Sequence, residues 1–420
     1  MLLSISMLLV FLALLLGFYM AWNIGANDVA NSMATAVGAK AITPRQAVLI
    51  AGFLEAAGAI FVGSHVADTV KKGIVDPAYF SADPNIFILG SIASILAASL
   101  WVTLATWKEM PISTTHSIIG ALVGFGLVAS GPGVVAWGKL GQVVLSWIIS
   151  PLMGAFLAYL IFRVIIRSIF NSENPDRAAK NASPFLLFAT FFIIFLSLFL
   201  KTPLGKTLGM ADNVPMSVMY ATVGAFVGSA AGFFVLVRPA LKTEESKNGD
   251  YKRVEAIFRR LQILTSCYVA FAHGANDVAN AIGPVAGVVQ ALSSGVVGAK
   301  AEVPVYLLLM GGVGIAVGVF TWGYKVMKTI GFRITELTNT RGFSVDFGVA
   351  TTVLMASKLG MPVSTTHTVV GAVVGVGLAR GLAAIDLRVI KDIVVSWVVT
   401  VPVAAATSAG IFLLLRAAFA

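Results

Sequence analysis

Charged side chains are scarce in this sequence: they make up 11% of its 420 residues, whereas 58% are hydrophobic and the mean hydropathy is +0.92. This apolar share is far above that of soluble globular domains, so water is excluded as the main solvent of the surface. Uncharged runs such as Leu2 to Trp22 and Val303 to Thr321 are close to the ~20 residues that span a hydrocarbon core. We count about ten to twelve such runs, which predicts an all-α polytopic membrane protein.

Cysteine is also nearly absent, because Cys267 is the one cysteine of the chain. A single thiol excludes intramolecular disulfides and provides no cluster of metal-binding thiolates, so neither redox chemistry nor a resident cofactor is expected. The first apolar run lacks a preceding basic segment, and for this reason a cleaved signal peptide is not expected.

Basic residues outnumber acidic ones and give a net charge of +10, but they concentrate in residues 163–180 and 238–260. This clustering between apolar spans indicates a positive-inside bias rather than a nucleic-acid-binding face. Both segments are therefore predicted to be cytoplasmic, including the linker 238–258. Two apolar spans separate them, near 184–200 and 214–237, which is the even number of crossings that this placement needs.

A seven-residue element occurs twice without change, as Gly25 to Asn31 and as Gly274 to Asn280. A second element, Pro-x-Ser-Thr-Thr-His, begins at Pro111 and again at Pro362, 86 and 88 residues after the start of the first element. The same order in both halves indicates an internal duplication.

The duplication predicts a first repeat at 1–165, two linking helices with a charged loop at 166–258, and a second repeat at 259–420. We expect the repeats to be inverted, since oppositely oriented halves allow alternating access to a central site. This arrangement places the N-terminus outside. The seven-residue element, which we call the Gly-rich element, lies in both halves within an apolar stretch that is too long for one crossing. Broken helices or re-entrant hairpins are therefore predicted there.

Asp28 and Asp277 lie in otherwise apolar segments, where a carboxylate costs about 2.5 to 3.5 kcal/mol on insertion scales and usually marks an ion or substrate path. A capped or salt-bridged aspartate is the alternative, but no Lys or Arg lies nearby in the sequence. Asn27 and Asn276 stand beside them and offer amide oxygens. Carboxylate, amide and freed backbone oxygens form a hard-cation site, which suits sodium or a proton better than a transition metal.

Two further carboxylates lie in apolar stretches. Glu55 is a candidate cation ligand, and the alternative is an ion pair with Arg45 or Lys40 near the end of its span. Asp346 precedes the second Pro-x-Ser-Thr-Thr-His element and is a weaker candidate, because the first half has no clear counterpart of this residue.

Each Pro-x-Ser-Thr-Thr-His element reads as the beginning of a helix. Three successive hydroxyls exceed what one N-cap needs, and a helix N-terminus offers free N–H groups and partial positive charge to an oxyanion. The candidate anion ligands are Ser113, Thr114, Thr115, Ser364, Thr365 and Thr366. For His116 and His367, a proton-sensing role and that of satisfied core histidines remain equal alternatives.

An anion close to Asp28 and Asp277 would be repelled by about 4 kcal/mol per charge pair at 4 Å and an effective dielectric constant of 20. Neither element contains a Lys or Arg that could neutralise the anion. A mobile cation bound in the same pocket removes this penalty, so the sequence predicts coupled entry of anion and cation.

The two duplicated elements together resemble the inorganic phosphate transporter (Pit) family over essentially the whole chain. The resemblance implies sodium- or proton-coupled symport of inorganic phosphate, with sodium favoured here. It also implies that Asn27-Asp28 and Asn276-Asp277 are signature positions of the family. The two Ser-Thr-Thr segments, which we call the hydroxyl triplets, are implied to bind the substrate. We add Asn31 and Asn280 to the candidate phosphate ligands. The large hydrophilic loop of animal members is absent, which suggests the plasma membrane of a bacterium or archaeon.

Other functions remain as alternatives. A related permease for sulfate or another oxyanion would use the same hydroxyls, and an anion channel would share the path without needing buried carboxylates. An intramembrane hydrolase is disfavoured because no Gly-x-Ser-x-Gly element is present, so we expect no enzyme. The expected partners are phosphate, sodium and the bilayer, with a homodimer left open and no nucleic acid.

Overall fold

The computed structural model describes residues 2–63, 74–242, 251–297, 303–358 and 363–419, and the regular structure in these ranges is helical apart from one isolated bridge between Val75 and Val135. The first half contains α1 (Leu2–Asp28), α2 (Ala30–Gly38), α3 (Pro44–Val62), α4 (Pro84–Trp107), α5 (Thr114–Ser130) and α6 (Trp137–Ile165). Two helices follow, α7 (Pro175–Lys201) and α8 (Val214–Gly232). The second half contains α9 (Lys252–Ser294), α10 (Val305–Trp322), α11 (Asn339–Lys358), α12 (Thr365–Leu378) and α13 (Leu387–Phe419).

Shorter helical segments join or extend these helices. Three are α-helical, at Pro203–Thr207, Arg238–Ala240 and Tyr324–Lys328, and three are π-helical, at Ile166–Phe170, Phe233–Val237 and Thr329–Arg333. Single 3₁₀ turns lie at Pro77–Phe80, Pro132–Val134 and Leu382–Ala384. Polar caps begin several of the long helices, with side chains that accept from the first turn at Thr43, Asp83, Ser113, Asn174, Asn213 and Ser364.

Eight of the described helical segments are long and apolar enough to cross a bilayer. This confirms the prediction of an all-α polytopic membrane protein. Two further apolar helices, α5 and α12, are shorter, with 17 and 14 residues. They follow α4 and α11, so each half contains a helical hairpin whose second helix begins at a hydroxyl triplet. In the first hairpin the turn is Lys108–Ser113; part of the second, including Pro362, lies outside the described residues.

The helix break expected at each Gly-rich element is present in the first element and absent from the second. The first Gly-rich element shows a small interruption at Val29, between α1 and α2. The second element lies inside α9, which continues unbroken over 43 residues, about 64 Å at 1.5 Å per residue. Polar side chains are tolerated there because the element is buried against neighbouring helices, so no re-entrant turn is needed to satisfy its backbone.

The helix that carries the Gly-rich element in each half, α1 or α9, packs against a helix of the other half. A Cβ built on Gly25 of α1 would overlap the backbone of Ile315 in α10, and one built on Gly274 of α9 would overlap the backbone of Glu55 in α3. The two contacts are equivalent under the duplication. Glu55 therefore occupies the position that Ile315 holds in the second half, which explains why the sequence shows no acidic partner for it.

The helical hairpin of each half likewise packs against a helix of the other half. Gly124 of α5 lies against the backbone of Ala405 in α13, and Gly375 of α12 lies against the backbone of Ala155 in α6. Small residues allow such close approach of helices in a membrane. In both hairpins the glycine therefore serves helix packing, because backbone of the other half lies where a side chain would be.

Gly375→Ala should destabilise the protein by about 1–3 kcal/mol, because the added methyl group meets backbone that cannot move aside. Gly410→Ala, in α13, is the matched control: nothing lies within 4 Å of a Cβ at that position, and alanine favours the helix. Thermal unfolding in detergent measures the difference. Equal stability of the two variants would contradict the close packing.

The two helices between the halves pack against each other through a ridge and a groove. Phe191 and Phe195 of α7 lie over Gly228 and Gly224 of α8. The pair then contacts the second half through Ile193. The boundaries 165 and 258 remain predictions, and residues 243–250 of the linker lie outside the described residues.

Candidate functional site

The two motif aspartates meet in the interior. Asp28 ends α1 and Asp277 lies near the middle of α9, and both side chains are buried. His273 lies between them, with Nε2 at 2.8 Å from an oxygen of Asp277 and at 3.9 Å from one of Asp28. One ligand atom from each of the three residues lies within 4.8 Å of the others. The expected convergence of the two aspartates is thus present in the structure.

Glu55 completes the acidic cluster from α3. One carboxylate oxygen accepts a hydrogen bond from the Ser32 hydroxyl at 3.0 Å, and the other lies 3.3 Å from Nδ1 of His273. The proposed alternative, a pair with Arg45 or Lys40, is not what the structure shows. We define the acidic cluster as Asp28, Glu55, His273 and Asp277.

His273 was missed as a site residue by the sequence reasoning. The sequence does contain an indication of its role: His273 stands four residues before Asp277, and residues at this spacing share one face of a helix. Among the described residues, no Lys or Arg forms an ion pair with any of the three carboxylates. A protonated His273 offsets one of three negative charges, so the acidic cluster keeps a negative excess.

The threonines of the triplets face these carboxylates. Thr114 donates to Asp28 at 2.7 Å, and Thr366 from the other half donates to the second oxygen of Asp28 at 3.3 Å. Thr365 donates to Asp277 at 3.4 Å. The N-termini of α5 and α12 therefore point at the acidic cluster, and predicted anion ligands lie beside predicted cation ligands.

The two outer motif asparagines bind hydroxyls across the halves. Asn31 donates to Thr366 at 2.9 Å, and Asn280 donates to Thr115 at the same distance. The Oδ1 atom of Asn31 is buried and accepts no hydrogen bond from any residue that the structure describes. Buried acceptors are normally satisfied, so this oxygen is suited to a ligand that brings positive charge.

The inner asparagines and the serines form local contacts. Asn27 donates to Thr106 and accepts from the backbone N–H of Ile112, which ties α1 to the turn of the first hairpin. Asn276 donates to its neighbour Asp277 at 2.7 Å. The hydroxyls of Ser113 and Ser364 accept from the backbone N–H groups of His116 and His367 as N-caps. Their assignment as cation and phosphate ligands stays a prediction.

His116 and His367 lie next to each other behind the triplets, with ring centroids 4.7 Å apart. His367 stacks on Trp397 at 3.7 Å, and His116 lies 4.7 Å from Trp147. Trp147 and Trp397, each of which follows a serine in the sequence, thus pack against the two histidines. A proton-sensing role for the two rings stays a prediction.

Asp346 lies apart from the acidic cluster, next to three hydroxyls from two helices, α2 and α9. It accepts from Thr35 at 2.7 Å, from Ser266 at 2.5 Å and from Thr265 at 3.4 Å. Its buried environment was not predicted from the sequence, because two of these partners come from a helix about 80 residues away.

The chain is similar over most of its length to known proteins. Residues 24–408 match the model of the phosphate transporter family. The chain is 54% identical over 404 residues to the "Putative phosphate permease" of Pyrococcus abyssi, covering 96% of this chain and 97% of that protein. It is 41% identical to inorganic phosphate transporter 2-1, chloroplastic, of Arabidopsis thaliana, covering 95% of this chain and 70% of that protein. A solved structure described as the sodium-dependent phosphate transporter is 48% identical, with a TM-score of 0.88 and coverage of 97% of this chain and 99% of that chain.

Proposed function

This chain belongs to the phosphate transporter family, whose members are membrane transporters and not enzymes, and on that premise we propose that it carries inorganic phosphate by symport with sodium. The observation that carries the proposal is the acidic cluster beside the hydroxyl triplets. A cation and an anion site that share one pocket are what coupled entry requires.

Sodium is favoured by the oxygen-rich character of the pocket. Carboxylate oxygens of Asp28 and Asp277 and the unsatisfied Oδ1 of Asn31 are hard ligands. The solved relative at 48% identity is described as sodium-dependent. Protons are the competing coupling ion, because His273 lies in contact with the carboxylates and can carry one.

The electrostatic balance requires the cation. Even with His273 protonated, the three carboxylates leave two negative charges around the pocket. A phosphate anion would meet a repulsion of about 4 kcal/mol for each unit-charge pair at 4 Å and an effective dielectric constant of 20. A sodium ion bound between phosphate and carboxylates would cancel one of these charges and so lower the repulsion.

Phosphate itself would be held by the N-termini of α5 and α12. Free N–H groups and partial positive charge stabilise an oxyanion there, and threonine hydroxyls can donate to its oxygens instead of to the carboxylates. Arrival of the anion would then exchange one set of hydroxyl contacts for another, since Thr114, Thr365 and Thr366 now donate to Asp28 and Asp277.

We place the protein in the plasma membrane of a bacterium or archaeon, with 163–180 and 238–258 in the cytoplasm and the N-terminus outside. Inverted repeats would then alternate access to the pocket by moving against each other. Labelling of single added cysteines from each side of the membrane tests this topology in a Cys267→Ser background. Light scattering of the purified protein tests the homodimer.

Uptake of labelled phosphate into proteoliposomes tests the function, with sodium and pH gradients imposed separately. We expect accumulation driven by the sodium gradient, and weak competition by sulfate. Equal uptake in choline at constant pH would reject sodium symport, uptake driven by the pH gradient alone would indicate protons, and uptake that never exceeds the outside concentration would indicate a channel.

Thr366→Val should lower phosphate uptake by about 10- to 100-fold, since a hydrogen bond to a charged group contributes about 1.5–3 kcal/mol. The matched control is Thr368→Val on the same helix, because Thr368 donates to the backbone oxygen of Ser364 and is likewise buried. Initial uptake rates at saturating sodium measure the effect. Equal losses in both variants would show that helix packing, rather than the hydroxyl, is what matters.

A further inference from the structure

A cavity of about 130 Å³ lies between α7, α9 and α11, on the side of the acidic cluster that faces the two linking helices. Most of its wall is apolar. The side chains that form this wall include Val62, Ile194, Leu198, Val269, Ala350 and Val353. We refer to it as the side cavity.

One end of the side cavity is polar. Asn31, His273, Asn276 and Thr365 contribute to that end. Asn31 and Thr365 are predicted phosphate ligands. The side cavity therefore borders the pocket in which we place the oxyanion.

Tyr268 and Ser197 of α7 also belong to the cavity wall. An apolar wall with one polar end does not suit a hydrated ion, because each unpaired polar group loses its hydration without compensation there. It suits a small amphiphile.

We propose that the pocket and the side cavity together bind short alkylphosphonates, with the phosphonate head at the phosphate site and the alkyl chain in the side cavity. This inference rests on the proposed phosphate site. A phosphonate keeps a tetrahedral phosphorus with three oxygens for the hydroxyls and the sodium ion, and a carbon takes the place of the fourth oxygen. The ligand is held and not chemically changed.

The size of the side cavity limits the chain. A single water needs about 10–15 Å³ of such volume, so 130 Å³ accepts several heavy atoms. We expect the inhibition constant against phosphate uptake to fall about fourfold for each added methylene, which corresponds to about 0.8 kcal/mol. By this measure the chamber has room for a four-carbon chain, so the gain should continue up to butylphosphonate.

The test uses proteoliposomes of the full-length protein and measures inhibition of sodium-driven phosphate uptake by methyl-, ethyl-, propyl- and butylphosphonate. Butanol and butylamine at the same concentrations control for general effects on the bilayer. Ala350→Leu reduces the chamber from α11 and should abolish the dependence on chain length while inhibition by methylphosphonate persists. Met355→Phe, on the exposed face of the same helix, should leave the dependence unchanged.

The outcomes separate the inference from the function on which it rests. Wild-type protein without sodium-driven phosphate uptake would refute the proposed function itself. Normal uptake with equal inhibition by all four phosphonates would overturn the inference, as expected if a lipid acyl chain fills the side cavity. A chain-length dependence that survives in Ala350→Leu would also overturn it, and Ala350→Val serves if the leucine variant does not fold.

Discussion

Asp28→Asn should lower sodium-driven phosphate uptake by up to about 1,000-fold. One unit charge at 4 Å and an effective dielectric constant of 20 contributes about 4 kcal/mol to holding the cation, and each 1.36 kcal/mol is a factor of ten. The amide keeps an oxygen for Thr114 or Thr366, so the loss reports the charge rather than the shape of the side chain. Asp277→Asn should have a similar effect from the other half.

Two controls belong with this prediction. Asp212→Asn removes a carboxylate in the exposed turn between α7 and α8 and should leave uptake within about twofold, as for surface charges in general. Size-exclusion profiles of the purified variants show whether they fold. Full uptake by Asp28→Asn and Asp277→Asn, in properly inserted protein, would remove the cation site from both aspartates.

His273→Ala should destabilise the protein by about 3–5 kcal/mol, because removing one partner leaves buried carboxylates without compensation. His273 is the described basic group that contacts all three acidic side chains of the acidic cluster. Sodium should restore part of the lost stability, since it supplies the missing positive charge and binds the folded state. Thermal unfolding in detergent, with sodium or with choline, measures both effects.

His367→Ala is the matched control for His273→Ala. His367 is equally buried, but it contacts aromatic rings and not carboxylates. Its replacement should cost stability through lost packing, with no recovery specific to sodium. A sodium effect of the same size in both variants would show that sodium acts elsewhere in the protein.

The helical membrane fold and the duplication could be read from the sequence because both are properties of long segments. Apolar runs near 20 residues and seven identical residues in each half need no tertiary information. The interruption of the Gly-rich elements could not be read in this way. Whether Asn276 and Asp277 break α9 depends on what surrounds them. With α3 close to Gly274, Asp277 is buried and Asn276 is half-buried in an intact helix.

The sequence could predict the carboxylates and the hydroxyls of the candidate site as two sets of residues. It could not predict the hydrogen bonds that join them. The sequence shows carboxylates and hydroxyls, whereas the exchange of hairpins between halves decides that Thr366 meets Asp28. His273 shows the same limit. Its spacing to Asp277 indicated a shared helix face, but its contact with Glu55 depends on the packing of α9 against α3.

Charge is the physical basis of the proposed coupling between sodium and phosphate. Three carboxylates and one histidine occupy a buried pocket, and the hydroxyls that would bind an anion are engaged by these carboxylates. In the proposed symport, sodium would weaken those contacts by competing for the carboxylate oxygens, and it would add positive charge at the proposed phosphate site. Each ligand should therefore raise the affinity for the other by the same factor.

Equilibrium binding of labelled phosphate to the purified protein, titrated with sodium at constant pH and ionic strength, tests this coupling most directly. We predict that phosphate binds tightly in sodium and weakly in choline, that phosphate raises sodium affinity by the same factor, and that Asp28→Asn loses the linkage. A phosphate affinity that is the same in sodium and in choline would contradict the account.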